Sequence, residues 1–224
     1  NTLKGDRPLA AGKKPGFLKG DDWFFIANGV SDTVVEPRSF PIPVGNQTTT
    51  GPDSIDTFGR SKSLVLSQTF VAGFSLLKGE TAFKPPVVEY RVAIAGNINH
   101  VEVPERRVLY VEPSKGTKRT DGFIGLQEAF IDYHIGRFDT KRFDFVSLRV
   151  GIQPFQSDFR GFLFNDNQLG VRLFGNRDNN RVQFNLAAFW RIEKDTNSGL
   201  NDITAPLRRD WIVTGNLFRQ DRKS

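Results

Sequence analysis

DFVSLRVGIQPF (residues 144–155), QSDFRGFLFNDN (156–167), QLGVRLFG (168–175), NRDNN (176–180) and RVQFNLAAFWR (181–191) follow one another in this chain, and the alternation within them decides the fold. Val146, Leu148, Val150 and Ile152 fall on one side of a strand, with Ser147, Arg149, Gly151 and Gln153 on the other. The pattern recurs with Leu169, Val171 and Leu173 against Gln168, Gly170 and Arg172. After a short Asn/Asp-rich turn, Val182, Phe184, Leu186, Ala188 and Trp190 oppose Arg181, Gln183, Asn185, Ala187, Phe189 and Arg191. Each strand therefore has one apolar face and one that carries arginine. A soluble β-sandwich would bury the apolar face and leave the arginines in water. An outer-membrane barrel would turn the apolar face to lipid and the arginines to the lumen.

Composition narrows the choice. The 224 residues include 21 Phe and 21 Gly but only 38% hydrophobic residues, and no apolar run approaches the ~18 residues of a helical span. A barrel tolerates this mixture, because only every second strand residue must be apolar. Without cysteine there is no disulfide framework, thiol nucleophile or cysteine metal site. The net charge of +6 comes from scattered Lys and Arg with no long basic run. That scatter speaks against nucleic acid as a partner and suits either a solvated basic surface or an anion-attracting channel. The chain opens at Asn1, contains no Met and shows no signal-peptide pattern, so the expectation is a removed leader or a portion of a longer protein.

Residues 1–62 read as an irregular segment: loop, linker or partial plug. One short strand is plausible around Trp23 in DWFFIANGV, after which Pro37, Pro41 and Pro43 break regular structure. From Ser63 the alternation begins. SLVLSQTFVAGFSLLKG sets Leu64, Leu66, Phe70, Ala72, Phe74 and Leu76 on one side, interrupted by Gln68. In VVEYRVAIAGNIN, Val88, Tyr90, Val92, Ile94, Gly96 and Ile98 oppose Glu89, Arg91, Ala93, Ala95, Asn97 and Asn99. A charged segment from His100 to Asp121 follows, with a small hairpin expected at Val108–Val111. GFIGLQEAFIDYHI then places Gly125, Ala129, Ile131, Tyr133 and Ile135 against Leu126, Glu128, Phe130, Asp132 and His134. A last strand, WIVTGNLFRQ, follows the polar loop EKDTNSGLNDITAPLRRD. The result is a domain over 63–224 of seven consecutive strands joined by alternately short and long loops, as an up-and-down barrel requires and a Greek-key sandwich does not.

At RVGIQPFQSDFRGFLF, QLGVRLFGNRDNNRVQFNLAAFW and EKDTNSGLND the chain resembles bacterial outer-membrane β-barrel proteins, the large ones grouped loosely with porins and TonB-dependent receptors. The likeness extends over about residues 63–220, and no TonB box or complete plug domain accompanies it. It implies an all-β, antiparallel up-and-down transmembrane barrel in the outer membrane of a Gram-negative bacterium, with a solute or receptor role. Two features depart from that pattern: the chain ends RQDRKS rather than on an aromatic residue, and seven is an odd count. Both point to a portion of a larger barrel, or to a further strand supplied by the first 60 or so residues.

In such a barrel Arg91, Arg149, Arg172, Arg181 and Arg191 would line the pore and pair with Glu89, Glu128 and Asp132, since an arginine facing lipid near the midplane costs about 2–4 kcal/mol. The lipid side would be Val92, Ile94, Val146, Leu148, Val150, Ile152, Val171, Leu173, Val182, Phe184, Leu186 and Trp190. The arginines select anionic solutes on one reading and form a structural salt-bridge ladder on the other. PFQSDFRGFLFNDN reads as part of an aromatic girdle, with an inward-folded constriction as the alternative. His134 follows Asp132 on one strand face, but no nucleophile motif accompanies them, so no enzymatic activity is expected. GNRDNNR and DTNSGLND have the composition of calcium loops without their spacing, and turn chemistry accounts for them better. No metal or cofactor is expected. The expected partners are outer-membrane lipid, small solutes and other protein subunits. The function expected is a channel or uptake protein for small solutes, anionic ones included. The rival is a cell-surface binding or scaffold protein, barrel or secreted sandwich, that uses its long loops without transport.

Overall fold

A computed structural model describes residues 4–5, 7–10, 16, 18, 20–39, 62–79, 85–104, 107–135, 144–157 and 161–220. The chain is all-β. Its strands are β1 (Trp23–Ser39), β2 (Lys62–Lys78), β3 (Val88–Glu102), β4 (Lys118–His134), β5 (Phe145–Gln156), β6 (Asn165–Arg177), β7 (Val182–Trp190), β8 (Glu193–Lys194), β9 (Asn201–Asp202) and β10 (Trp211–Arg219). Eight of them form one antiparallel meander in the order β1-β2-β3-β4-β5-β6-β7-β10, while β8 and β9 form a separate small hairpin. The strand ends Lys78 and Val88, His134 and Phe145, and Arg177 and Val182 lie at one end of the sheet; Ser39 and Lys62, Glu102 and Lys118, Gln156 and Asn165, and Trp190 and Trp211 lie at the other, the long-loop end.

Three expectations are corrected. The sheet is not closed: β1 and β10 are its two edges and do not pair with each other. It also begins at Trp23, inside the segment expected to be irregular, and this additional strand makes the count even. Pro37 does not break β1, because an edge strand can accommodate a residue that lacks an N–H. Finally, residues 107–117 hold turns and a single 3-10 turn at Pro113–Lys115, and the hairpin expected at Val108–Val111 is absent.

Register assigns every side chain to one of two faces. Arg149 pairs with Asp132 and with Arg172, and Arg172 pairs with Ala187, so these share one face; Val150 pairs with Ile131 and Val171 on the other. Gln127 interrupts the alternation in β4, for Ala93 opposes Glu128 while Ile94 opposes Leu126. This β-bulge moves Leu126 to the apolar side and Gly125 to the polar side, the reverse of their expected phase.

The two faces are buried in the opposite order from a soluble protein. Gln153 and Gln168 on the polar face are 0% exposed, whereas Val150 and Leu186 on the apolar face are 46% and 54% exposed. We call the sheltered polar side concave and the open apolar side convex. Along the apolar side, the charged residues among those described occur only at strand ends, at Lys62, Lys78, Glu102, Lys118, Arg177 and Arg219. Aromatic residues mark both margins of that band. Trp190 stacks on Trp211 at 4.7 Å at the long-loop end, and Trp23 stacks on Tyr90 at 6.1 Å at the other.

Candidate functional site

The concave face carries a ladder of charges across β3 to β6. Arg91 on β3 is bonded to Glu128 on β4 and approaches the Ser75 hydroxyl at 3.5 Å. Glu89 lies beside the same serine, also at 3.5 Å. Arg149 donates to Asp132 from Nε at 2.9 Å and from a terminal nitrogen at 2.7 Å, and its plane lies 4.4 Å from the Phe130 ring. Alternation and register bring these groups together: paired positions on neighbouring antiparallel strands place their Cβ atoms within reach of long side chains.

Arg172 differs from the other two. Its Nε donates to Asn185 Oδ1 at 2.9 Å, and its guanidinium lies 4.4 Å from the Phe174 ring and 5.2 Å from that of Phe155. Arg149 stands opposite it in register, and no carboxylate pairs with it among the described residues. Six of the eight charged residues expected to line a pore, Arg91, Arg149, Arg172, Glu89, Glu128 and Asp132, thus share one face. The other two do not join them. Arg181 belongs to the β6–β7 turn and pairs with Asp178 at 3.1 Å, and Arg191 lies beyond the end of β7, held to Asp210 at 2.9 Å. Both have the parity of the polar face, but the strand ends before it reaches them.

All twelve residues expected on the lipid side lie on the convex face. Ile152 alone among them is buried rather than open. Phe155, near the end of β5, and Phe164, just before β6, turn inward and pack with Phe189, while Phe162 in the loop between is exposed; Asp158, Phe159 and Arg160 lie outside the described residues.

The 191–210 loop supplies what sequence reasoning missed. It folds back over the concave face, where the fully buried Asn201 donates to Leu126 O on β4 and Asn167 O on β6, both at 3.1 Å. Ile192 N donates to Gln168 Oε1, and Lys194 binds Asp166. Gly125 makes room for the crossing, since a Cβ there would lie 2.5 Å from Asn201 O. Within the loop, Asp195 accepts hydrogen bonds from the Ser198 hydroxyl and amide at 2.6 and 2.8 Å. The Ser198 hydroxyl is the main reason its carboxyl titrates below the usual range. Glu193 is lowered chiefly by a hydrogen bond from Arg208. The carboxylates of DTNSGLND are thus engaged in turn hydrogen bonds. In NRDNN, Asp178, Asn179 and Asn180 all adopt left-handed backbone, which these residue types tolerate, and Asp144 accepts the amides of Asp178 and Asn179 at 3.0 and 2.9 Å.

His134 Nδ1 lies 3.4 Å from Ser147 Oγ, and its ring stacks on Phe145. Asp132 is committed to Arg149, so the three groups do not form a nucleophile, base and orienter in sequence.

No family model, curated protein or solved structure matches this chain.

Proposed function

We propose that the chain is one sector of an outer-membrane β-barrel of a Gram-negative bacterium, acting as a channel or uptake protein for small hydrophilic solutes, anions among them. In this reading further strands meet β1 and β10, the convex face touches lipid, and the concave ladder borders the path of the solute. One observation carries it: the apolar face is open and the polar face is sheltered, with charge kept off the apolar face except at strand ends. Water would penalise so large an exposed apolar surface, whereas hydrocarbon requires one. Trp190 and Trp211, both exposed at one margin, have the placement of an interfacial girdle.

The test has two parts. The purified full-length protein, with the strands that complete the barrel, should need detergent to stay dispersed, and it should give stepwise conductance in a planar bilayer that favours anions. Solubility in plain buffer would end the membrane reading. A reconstituted protein that passes no current would favour the surface scaffold.

A further inference from the structure

The cavity on the concave face where β5, β6, β7 and β10 meet has a volume of about 460 Å³, within the range of small-molecule sites. Its lining combines three kinds of group. Arg172 supplies the charge, and no carboxylate lines the space. Gln183, Asn185, Thr214 and Asn216 supply neutral hydrogen-bonding groups; the side chains of Gln183, Thr214 and Asn216 are not hydrogen-bonded to other described residues, and those of Gln183 and Asn216 are exposed at the mouth of the cavity. Phe145, Phe174 and Phe218 supply aromatic surface.

Each kind restricts what would fit. The Arg172 guanidinium is oriented by Asn185 and flanked by two rings, which leaves its forked terminal nitrogens as donors for an oxyanion. Arg91 and Arg149 each hold a carboxylate in direct contact, whereas Arg172 has none among the described residues and feels Asp132 only across Arg149, so it is the member of the ladder free to bind a further oxyanion. Side-chain amides offer a donor and an acceptor together, and a hydroxyl group offers the same pair. Sulfate offers acceptors only and would leave the amide oxygens of Gln183 and Asn216 to water. The phenylalanines provide flat apolar surface against which the C–H face of a pyranose ring can lie.

We infer that this cavity is a subsite for a carboxylated sugar: Arg172 takes the carboxylate, Gln183, Thr214 and Asn216 take hydroxyls, and the rings take the apolar face of the sugar. The inference deepens the channel reading by naming a solute class and depends on that reading only for the passage of the sugar across a membrane. The cavity itself lies on the concave face whatever the convex face touches.

Calorimetric titration of the purified chain, in detergent micelles or in buffer, with D-glucuronate, D-glucose and acetate at matched ionic strength tests it. Glucuronate should bind, and glucose and acetate should each bind at least roughly tenfold more weakly, because each lacks one set of contacts. Arg172→Gln should reduce glucuronate to the level of glucose. Asn216→Leu, on the edge strand where the fold tolerates change, should weaken both sugars and leave acetate unaltered. Acetate binding as tightly as glucuronate, no heat from glucuronate, or full affinity in both variants would overturn the subsite. Binding without passage through a bilayer would leave the subsite standing and remove the channel.

Discussion

Arg149 and Arg172 face each other as register partners on β5 and β6, two cations side by side on the sheltered face of the sheet. Such a pair is repulsive. Asp132 offsets it from the β4 side of Arg149, and the Phe130, Phe155 and Phe174 rings border the two guanidinium groups.

Asp132→Asn should therefore destabilise the protein by about 3 kcal/mol, the scale for removing one partner of a buried ion pair. The double variant Asp132→Asn/Arg149→Gln should recover most of that loss, because it removes the stranded cation as well. Urea unfolding midpoints of the two single variants and the double one measure the coupling. Equal instability of the Asp132→Asn and double variants would show that the pair carries no such balance.

Val150→Arg and Leu186→Arg place charge on the open apolar face, whereas Gln183→Arg and Asn216→Arg place it at exposed positions of the concave one. The first two should each impair assembly by about 2–4 kcal/mol if the face meets lipid, and the second two should be tolerated. Heat-modifiable gel mobility of the membrane-assembled protein distinguishes the sets. Similar damage from all four would mean that the convex surface is not in hydrocarbon.

Gly125→Val should displace the 191–210 loop from the concave face, because even a Cβ at this position lies 2.5 Å from Asn201 O. Limited proteolysis within 195–199 should become faster while the eight-stranded sheet keeps its far-ultraviolet signature. A loop that stays protected in this variant would mean that its docking does not depend on the gap at Gly125.

The same loop should loosen in acid. Asp195 and Glu193 titrate below their ordinary values, so the stability they lend is present above the ordinary carboxylate range and is lost as pH falls through their lowered values. Hydrogen exchange at Ser198 and Gly199, corrected for its intrinsic pH dependence, should rise on acidification. Asp195→Asn keeps an acceptor but does not titrate, and it should flatten that part of the response. An unchanged acid profile in this variant would assign the effect elsewhere.

How far the fold was legible depends on which signal carried each part. Strands β5, β6 and β7 could be read face by face because alternation of period two survives from Val146 to Trp190. Strand β1 was largely hidden. Its convex side holds Gly29, Ser31 and Thr33, its concave side includes Val30 and Val34, and Pro37 suggests a break, so the two sides scarcely differ. The Gln127 bulge leaves no mark in composition, and the phase of Gly125 and Leu126 was inverted as a result. Side-chain parity grouped six of the charged residues on the one face where the structure has them, but strand ends are set by turns, and Arg181 and Arg191 fell outside. The inward fold of 191–210 rests on Asn201 finding two distant carbonyls, a tertiary event that no local pattern announces.

Gln127 gives the wall of this sheet one point of slack in its length. It sits unpaired between Glu128, opposite Ala93, and Leu126, opposite Ile94, so deleting that one residue would close the bulge and leave Arg119, Asp121 and Phe123 inward and Ile124 and Leu126 outward. A single deletion elsewhere in β4 would instead turn the side chains between it and the bulge to the other face, and a paired one would not. A tolerance screen of indels along β4 should show that even-odd rhythm, with Gln127 the exception.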